Sequence, residues 1–271
     1  MSSRTANGGS RPSSPTSDAE VAISAALAGA EALRRRYGGP LTRLAKSERD
    51  FATEADLEAE RAVRDAIAEA FPGDAFLGEE GGLHGAADAA RTWLVDPLCG
   101  TLNFAARTPL VAVNVALREG GGVTAAAIAD PFAAEVCWTD GDTAWGRTTI
   151  DTPLTPDASS RLVDVDFDGH PVWAAQVVSA PEFTDSFGLR VSSTSLALAW
   201  VASGRRAAYV IAGDVRDSVH FAAGIALCRA AGCVVTDLAG EPVESAGNGL
   251  IAVADAATHA TLLGAIATAT G

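Results

Sequence analysis

Trp93-Leu94-Val95-Asp96-Pro97-Leu98-Cys99-Gly100-Thr101-Leu102-Asn103-Phe104 places a run of large apolar residues directly before an acid and a proline. Such a run, bounded by turn-forming residues, predicts a short buried strand, Trp93–Val95, that delivers Asp96 at its end. The segment before it repeats the device. Ala75-Phe76-Leu77 predicts a second buried strand, followed by Gly78 and the acids Glu79 and Glu80. Each of the two strands thus delivers acids at its end.

Upstream, apolar residues from Val21 to Leu33 recur at helical spacing and end in Arg34-Arg35-Arg36, then Gly38-Gly39, which predicts a helix from Asp18 to about Tyr37. A second helix is expected to open at Thr53-Glu54-Ala55-Asp56, whose acids suit a positive helix start, and to run to Phe71-Pro72-Gly73. Downstream, VAVNVAL, VTAAAIA, AEVCWT and TAWG, between Leu110 and Trp145, are separated by glycine-rich or Asp-Pro turns and predict an antiparallel meander. After a polar stretch at Asp151–Ser160 the pattern alternates: helix over Ser192–Ser203, strand over Ala207–Ile211, helix over Val219–Ala231. This divides the chain into a disordered tail (1–17), an N-terminal α+β domain (18–152) and a C-terminal α/β domain (153–271).

The 271 residues carry 34 acids against 20 bases, a net charge of −14. That balance argues against a nucleic-acid partner, which needs a clustered cationic surface. No apolar run reaches the roughly 18 residues of a membrane span, and the opening segment lacks a signal peptide's apolar centre, so a soluble cytoplasmic protein is expected. Cys99, Cys137, Cys228 and Cys233 form no CxxC pair and are expected to be reduced thiols, the last three in the core.

Four segments in order resemble the Mg²⁺-dependent inositol monophosphatase family: Lys46 with Asp50-Phe51-Ala52-Thr53-Glu54-Ala55-Asp56; Phe76-Leu77-Gly78-Glu79-Glu80; Trp93 to Phe104; and Val219-His220-Phe221-Ala222-Ala223-Gly224 leading to Ala230-Ala231-Gly232-Cys233-Val234-Val235-Thr236-Asp237. Ala129-Asp130-Pro131 and Val191 to Leu198 add supporting matches. Together they span nearly the whole chain after residue 18. The resemblance implies a layered α-β-α-β-α sandwich, an α+β fold with its active site between the two halves, and commonly a homodimer. It implies that Glu79, Asp96 and the Leu98 carbonyl hold one metal. The two aspartates of the second metal site align with Cys99 and His220. Thr101 falls where the family orients the attacking water, Gly100-Thr101 where backbone N–H groups face the phosphate, Lys46 on a loop near the metals, and Gly213 or Asp214, depending on alignment, near the acid that holds substrate.

A thiol and an imidazole are poor Mg²⁺ ligands, since Mg²⁺ prefers an octahedron of oxygens. If both replace ligands of one ion they are expected to meet, about 3–4 Å apart. The leading expectation is then a cysteine-dependent acyl-transfer or cyclisation enzyme with no metal. In it Cys99 is a nucleophile activated at a helix start, His220 its base, Asp96 or Glu79 the orienting acid, and the substrate a small or carrier-bound molecule. Two alternatives stand beside it. One is a phosphomonoesterase with Mg²⁺, or Zn²⁺ on Glu79, Asp96, Cys99 and His220; the other is an inactive binding or scaffold homologue.

Overall fold

Three separate apolar clusters set the architecture, because each fills one space between layers. The computed structural model describes residues 17–45, 51–246 and 248–270. Apart from Ser17, the expected tail lies outside the described residues, as does Lys46. Helix α1 (Asp18–Arg36) begins where the Ser17 hydroxyl accepts from Glu20 N, with Asp18 and Glu20 in its first turn and three arginines in its last. A hairpin of β1 (Arg43–Ala45) and β2 (Phe51–Thr53) leads into α2 (Glu54–Ala70) through a capping box in which Thr53 and Asp56 satisfy each other's backbone N–H groups. The two helices pack together over one face of the first sheet.

That sheet contains β3 (Ala75–Gly78), β4 (Gly82–His84) and β5 (Arg91–Cys99). After the single turn of α3 (Thr101–Ala105) it continues with β6 (Ala112–Glu119), β7 (Gly122–Asp130), β8 (Glu135–Thr139), β9 (Ala144–Arg147) and β10 (Asp151–Pro153). The order is β10-β9-β8-β7-β6-β5-β3-β4, antiparallel except where β3 runs parallel to β5. Along β7, Ala125, Ala127 and Ala129 face the helix pair while Ala126 and Ile128 face the other layer, as a pleat of period two requires. Both faces are covered, so the strands read as unbroken apolar runs.

The second half comprises β11 (Leu162–Val165), α4 (Pro171–Ser179), α5 (Pro181–Ser186), β12 (Gly188–Arg190), α6 (Leu196–Ala202), β13 (Ala208–Ile211), α7 (Ala222–Ala230), β14 (Val234–Thr236), α8 (Val243–Ala246), β15 (Leu250–Val253) and α9 (Ala256–Thr270). Its sheet runs β12-β11-β13-β15-β14. Helices α6 and α7 lie between the two sheets, and α4, α5 and α9 cover the outer face. The chain forms the expected layered α-β-α-β-α sandwich.

Three expected boundaries shift. The Trp93 strand extends from Arg91 to Cys99 with a break in register after Asp96, because Pro97 has no N–H to give the ladder. The helix expected from Ser192 starts at Leu196, since Ser192 and Ser193 turn their hydroxyls to Asp164 and Asp168. The helix expected from Val219 starts at Ala222, leaving His220 on the turn before it.

Gly224 lets α7 approach α6: a Cβ there would overlap the Leu198 side chain. Gly224→Ala is expected to cost about 1–3 kcal/mol, read as a thermal midpoint lower by about 2–4 °C for each kcal/mol. Gly122→Ala, which faces open space, is the control expected to change little.

Candidate active site

Strand β5 places Leu94 and Asp96 on the face turned to the second half, because alternate residues share a face and Trp93 and Val95 point to the helix pair. Asp96 is wholly buried. Its Oδ1 accepts from Leu98 N at 3.1 Å, and its Oδ2 meets His220 Nδ1 at 2.7 Å and Asn114 Nδ2 at 3.4 Å. Asn114, opposite Asp96 on β6, accepts in turn from the Ser195 hydroxyl at 2.9 Å, which links the first sheet to the entrance of α6. Glu79 follows β3, held by its N–H to Val95 O, and its Oε2 lies 3.9 Å from His220 Nδ1. The turn behind it is fixed by buried Glu60 of α2, whose carboxylate accepts from Glu80 N and Gly81 N, both at 2.8 Å.

Glu79, Asp96 and His220 each offer one donor atom, and all three lie within 4.8 Å of one another. Ligand atoms on opposite sides of one divalent ion are about 4.2–4.4 Å apart at bond lengths of 2.1–2.2 Å. A closing movement of a few tenths of an ångström, about the excess of that limit over this span, lets the set hold a single divalent cation. An imidazole beside two carboxylates suits Mn²⁺ or Zn²⁺ at least as well as Mg²⁺. For Nδ1 to ligate, the ring hydrogen has to sit on Nε2.

Cys99 is not in this set. Its Sγ accepts from Ser195 N at 3.2 Å, and burial together with the Asp96 and Glu79 charges pushes its thiol well above the ordinary range. The expectation that Cys99 joins His220 as an activated thiolate therefore fails. The bulge after Asp96 turns Cys99 to the α6 entrance, and its nearest charges are negative.

Gly100, at φ 102°, starts α3. The Thr101 hydroxyl lies 3.0 Å from Asp56 Oδ1 and 3.2 Å from the Leu98 carbonyl. These groups open onto a cavity of about 390 Å³ between the halves, whose lining also takes in Asn103, His220 and Phe221. Its far wall is Asp166, Asp168, Ser193 and Tyr209. Asp214 is a further correction: it does not line the cavity, and its carboxylate is engaged at the surface by Arg216 at 2.8 Å, which lowers its pKa to about 2.

The structure adds residues that the motifs did not single out. Asp56 reaches across from α2 to Thr101, and burial raises its pKa. Asp164, Asp166 and Asp168 alternate with Val163, Val165 and Phe167, so the period-two pattern itself could have placed three acids on the inner face. Asp164 is neutralised by Arg206 at 2.5 Å. Asp166, buried beside Tyr209 OH at 3.3 Å, is pushed by desolvation up to about 6.

A family model described as the inositol monophosphatase family matches residues 15–270. The chain is 33% identical to the inositol-1-monophosphatase of Caulobacter vibrioides over 80% of this chain and 88% of that one. It is 35% identical to the probable inositol 1-monophosphatase ImpA of Mycobacterium tuberculosis, over 76% and 78%. The crystal structure of the extragenic suppressor protein SuhB from Bartonella henselae superimposes with a TM-score of 0.80 at 28% identity, covering 91% of this chain and 96% of that one. These likenesses and the donor set overturn both the cysteine-dependent acyl-transfer expectation and the expectation that no metal is used. Among the described residues no helix is long and apolar enough to cross a membrane.

The raised Asp166 sets a sign. Between its unfolded value of 3.8 and about 6 the folded state holds the extra proton, so stability falls as pH rises through that window. Asp166→Asn is expected to be more stable than the parent at pH 7–8, by about 1–3 kcal/mol, with the gain vanishing near pH 4. Denaturant melts at the two pH values read it.

Proposed function

The chain belongs to the inositol monophosphatase family, and we propose that it is a metal-dependent phosphomonoesterase acting on the phosphate ester of a small polar alcohol. The observation that carries this reading is the convergence of Glu79, Asp96 and His220, of which Glu79 and His220 line the cavity between the halves and Asp96 lies buried behind them. Electrostatics support it. Among the described residues the cavity is lined by Glu79, Asp166 and Asp168 with no arginine or lysine. A phosphate dianion entering such a cavity is repelled by the carboxylates unless positive charge is brought in.

Glu79, Asp96 and His220 would hold the cation. Bound there, a divalent ion supplies Lewis-acid stabilisation of the phosphoryl oxygens. The chain's own groups do the rest. Hydrolysis forms a bond from a water oxygen to phosphorus, breaks the ester P–O bond and releases the alcohol with a proton. Thr101 stands at the cavity wall with its hydroxyl against Asp56. Its hydroxyl can orient the water and relay the water's proton to Asp56, which burial makes more basic than an exposed aspartate. Before an ion binds, Asp96 holds the His220 ring at Nδ1, the atom that would turn to the ion. Asn114 and the Leu98 N–H satisfy the rest of the Asp96 carboxylate, as outer partners of metal ligands commonly do. The four free thiols suit work in the reducing cytoplasm on a diffusible substrate.

Release of inorganic phosphate from inositol, sugar and nucleotide monophosphates, with Mg²⁺, Mn²⁺ or Zn²⁺ in turn, tests the reading. Turnover is expected with added ion and lost with chelator. Asp96→Asn is expected to lower it on the order of 100-fold, and Cys99→Ser to leave it within a few-fold. No phosphate from any pairing of ester and ion, or activity indifferent to chelator, contradicts it.

A further inference from the structure

A second cavity, of about 430 Å³, shares no lining residue with the first. Its floor is apolar, built from Leu94, Val123, Val215, Ile225 and Val243. Its rim carries Arg118, Arg216 and Arg229 against Asp217 and Glu244, and Arg216 is also paired with Asp214 beside the cavity, so the three cations are matched by three anions. That balance contrasts with the chain's net −14 and with the acidic lining of the active-site cavity. An anion meets less repulsion at this mouth than at the other, and finds arginine donors there.

The arginines are available to a ligand. Arg118 pairs with Asp217 at 3.1 Å and Arg229 with Glu244 at 2.7 Å, but the acids are 85% and 65% exposed. Exposed pairs of this kind are worth about 0–1 kcal/mol, so exchanging their carboxylates for a ligand's costs little. The turn glycines Gly121 and Gly122 leave open space at the mouth. The volume lies in the ordinary range for metabolite-sized ligands, and an apolar floor with a few convergent polar groups is the usual makeup of such sites.

We propose that this cavity is a second ligand site, for a small amphipathic anion with an apolar body and a carboxylate, sulfonate or phosphate head. The head sits between Arg118 and Arg229, and the body lies against Leu94 and Ile225. Occupancy is felt at His220, because Ser218 lines this cavity and its hydroxyl accepts from His220 N at 3.2 Å. The inference does not depend on the phosphatase reading.

The probe is 8-anilinonaphthalene-1-sulfonate, followed by fluorescence titration of the full chain. The expected result is one probe per chain, bound roughly ten-fold more weakly by the Arg118→Ala/Arg229→Ala double variant, a loss of about 1.4 kcal/mol. Gly122→Trp, which fills the mouth without backbone strain, is expected to abolish binding. Native near-UV circular dichroism in both variants separates site binding from a loosened core. Saturating probe should also shift the His220 ring resonances. No binding by the folded parent, affinities within two-fold in both variants, or displacement of the probe by inorganic phosphate with Mn²⁺ would overturn the site. Unchanged His220 resonances at saturation would overturn the coupling.

Discussion

A carboxylate with no exposure to solvent has to be satisfied by protein groups or by a cation, and Asp96 is that carboxylate here. Its two oxygens collect the Leu98 N–H from the bulge that Pro97 forces, the Asn114 amide from the neighbouring strand and the His220 ring from the turn before α7. Through Asn114 the network continues to Ser195, and from Ser195 N to Cys99. One buried acid thus ties the first sheet to both helices of the central layer. Removing one partner from such a network leaves the others unsatisfied in a low dielectric, which costs more than the bond alone.

The same network explains why Cys99 is quiet. A thiolate needs positive charge or open N–H donors nearby, whereas Cys99 lies beside Asp96 and Glu79, and the hydrogen bonding of Ser195 does not offset its burial. His220 is turned the other way, to the acids, where it completes a ligand set. The chain's electrostatics then divide by cavity: carboxylates gather at the first and arginines at the rim of the second, on either side of the 215–221 segment.

Much of this was legible in the residues. The meander, the helix pair and the strand-end acids Glu79 and Asp96 follow from period-two and helical patterning and from turn residues between Leu110 and Trp145. The meeting of Cys99 with His220 was not, because it assumed both side chains aim at one ion. The aim of Cys99 depends on a bulge and on where α6 begins. Asp56 looked like a helix-start acid, and it is one. Its second role, beneath Thr101, is a contact across 45 residues that no local pattern encodes. The Asp164-Asp166-Asp168 ladder was encoded and overlooked, since acids alternating with Val163 and Val165 mark a face as plainly as apolar residues do.

The central claim is that Glu79, Asp96 and His220 together bind one divalent ion, and calorimetric titration of metal-free protein with Mn²⁺ tests it most directly. The account predicts one ion per chain. Binding should be lost in Asp96→Asn, weakened in His220→Ala and unchanged in Cys99→Ser. No saturable binding by the folded protein, or binding that survives Asp96→Asn intact, would contradict it.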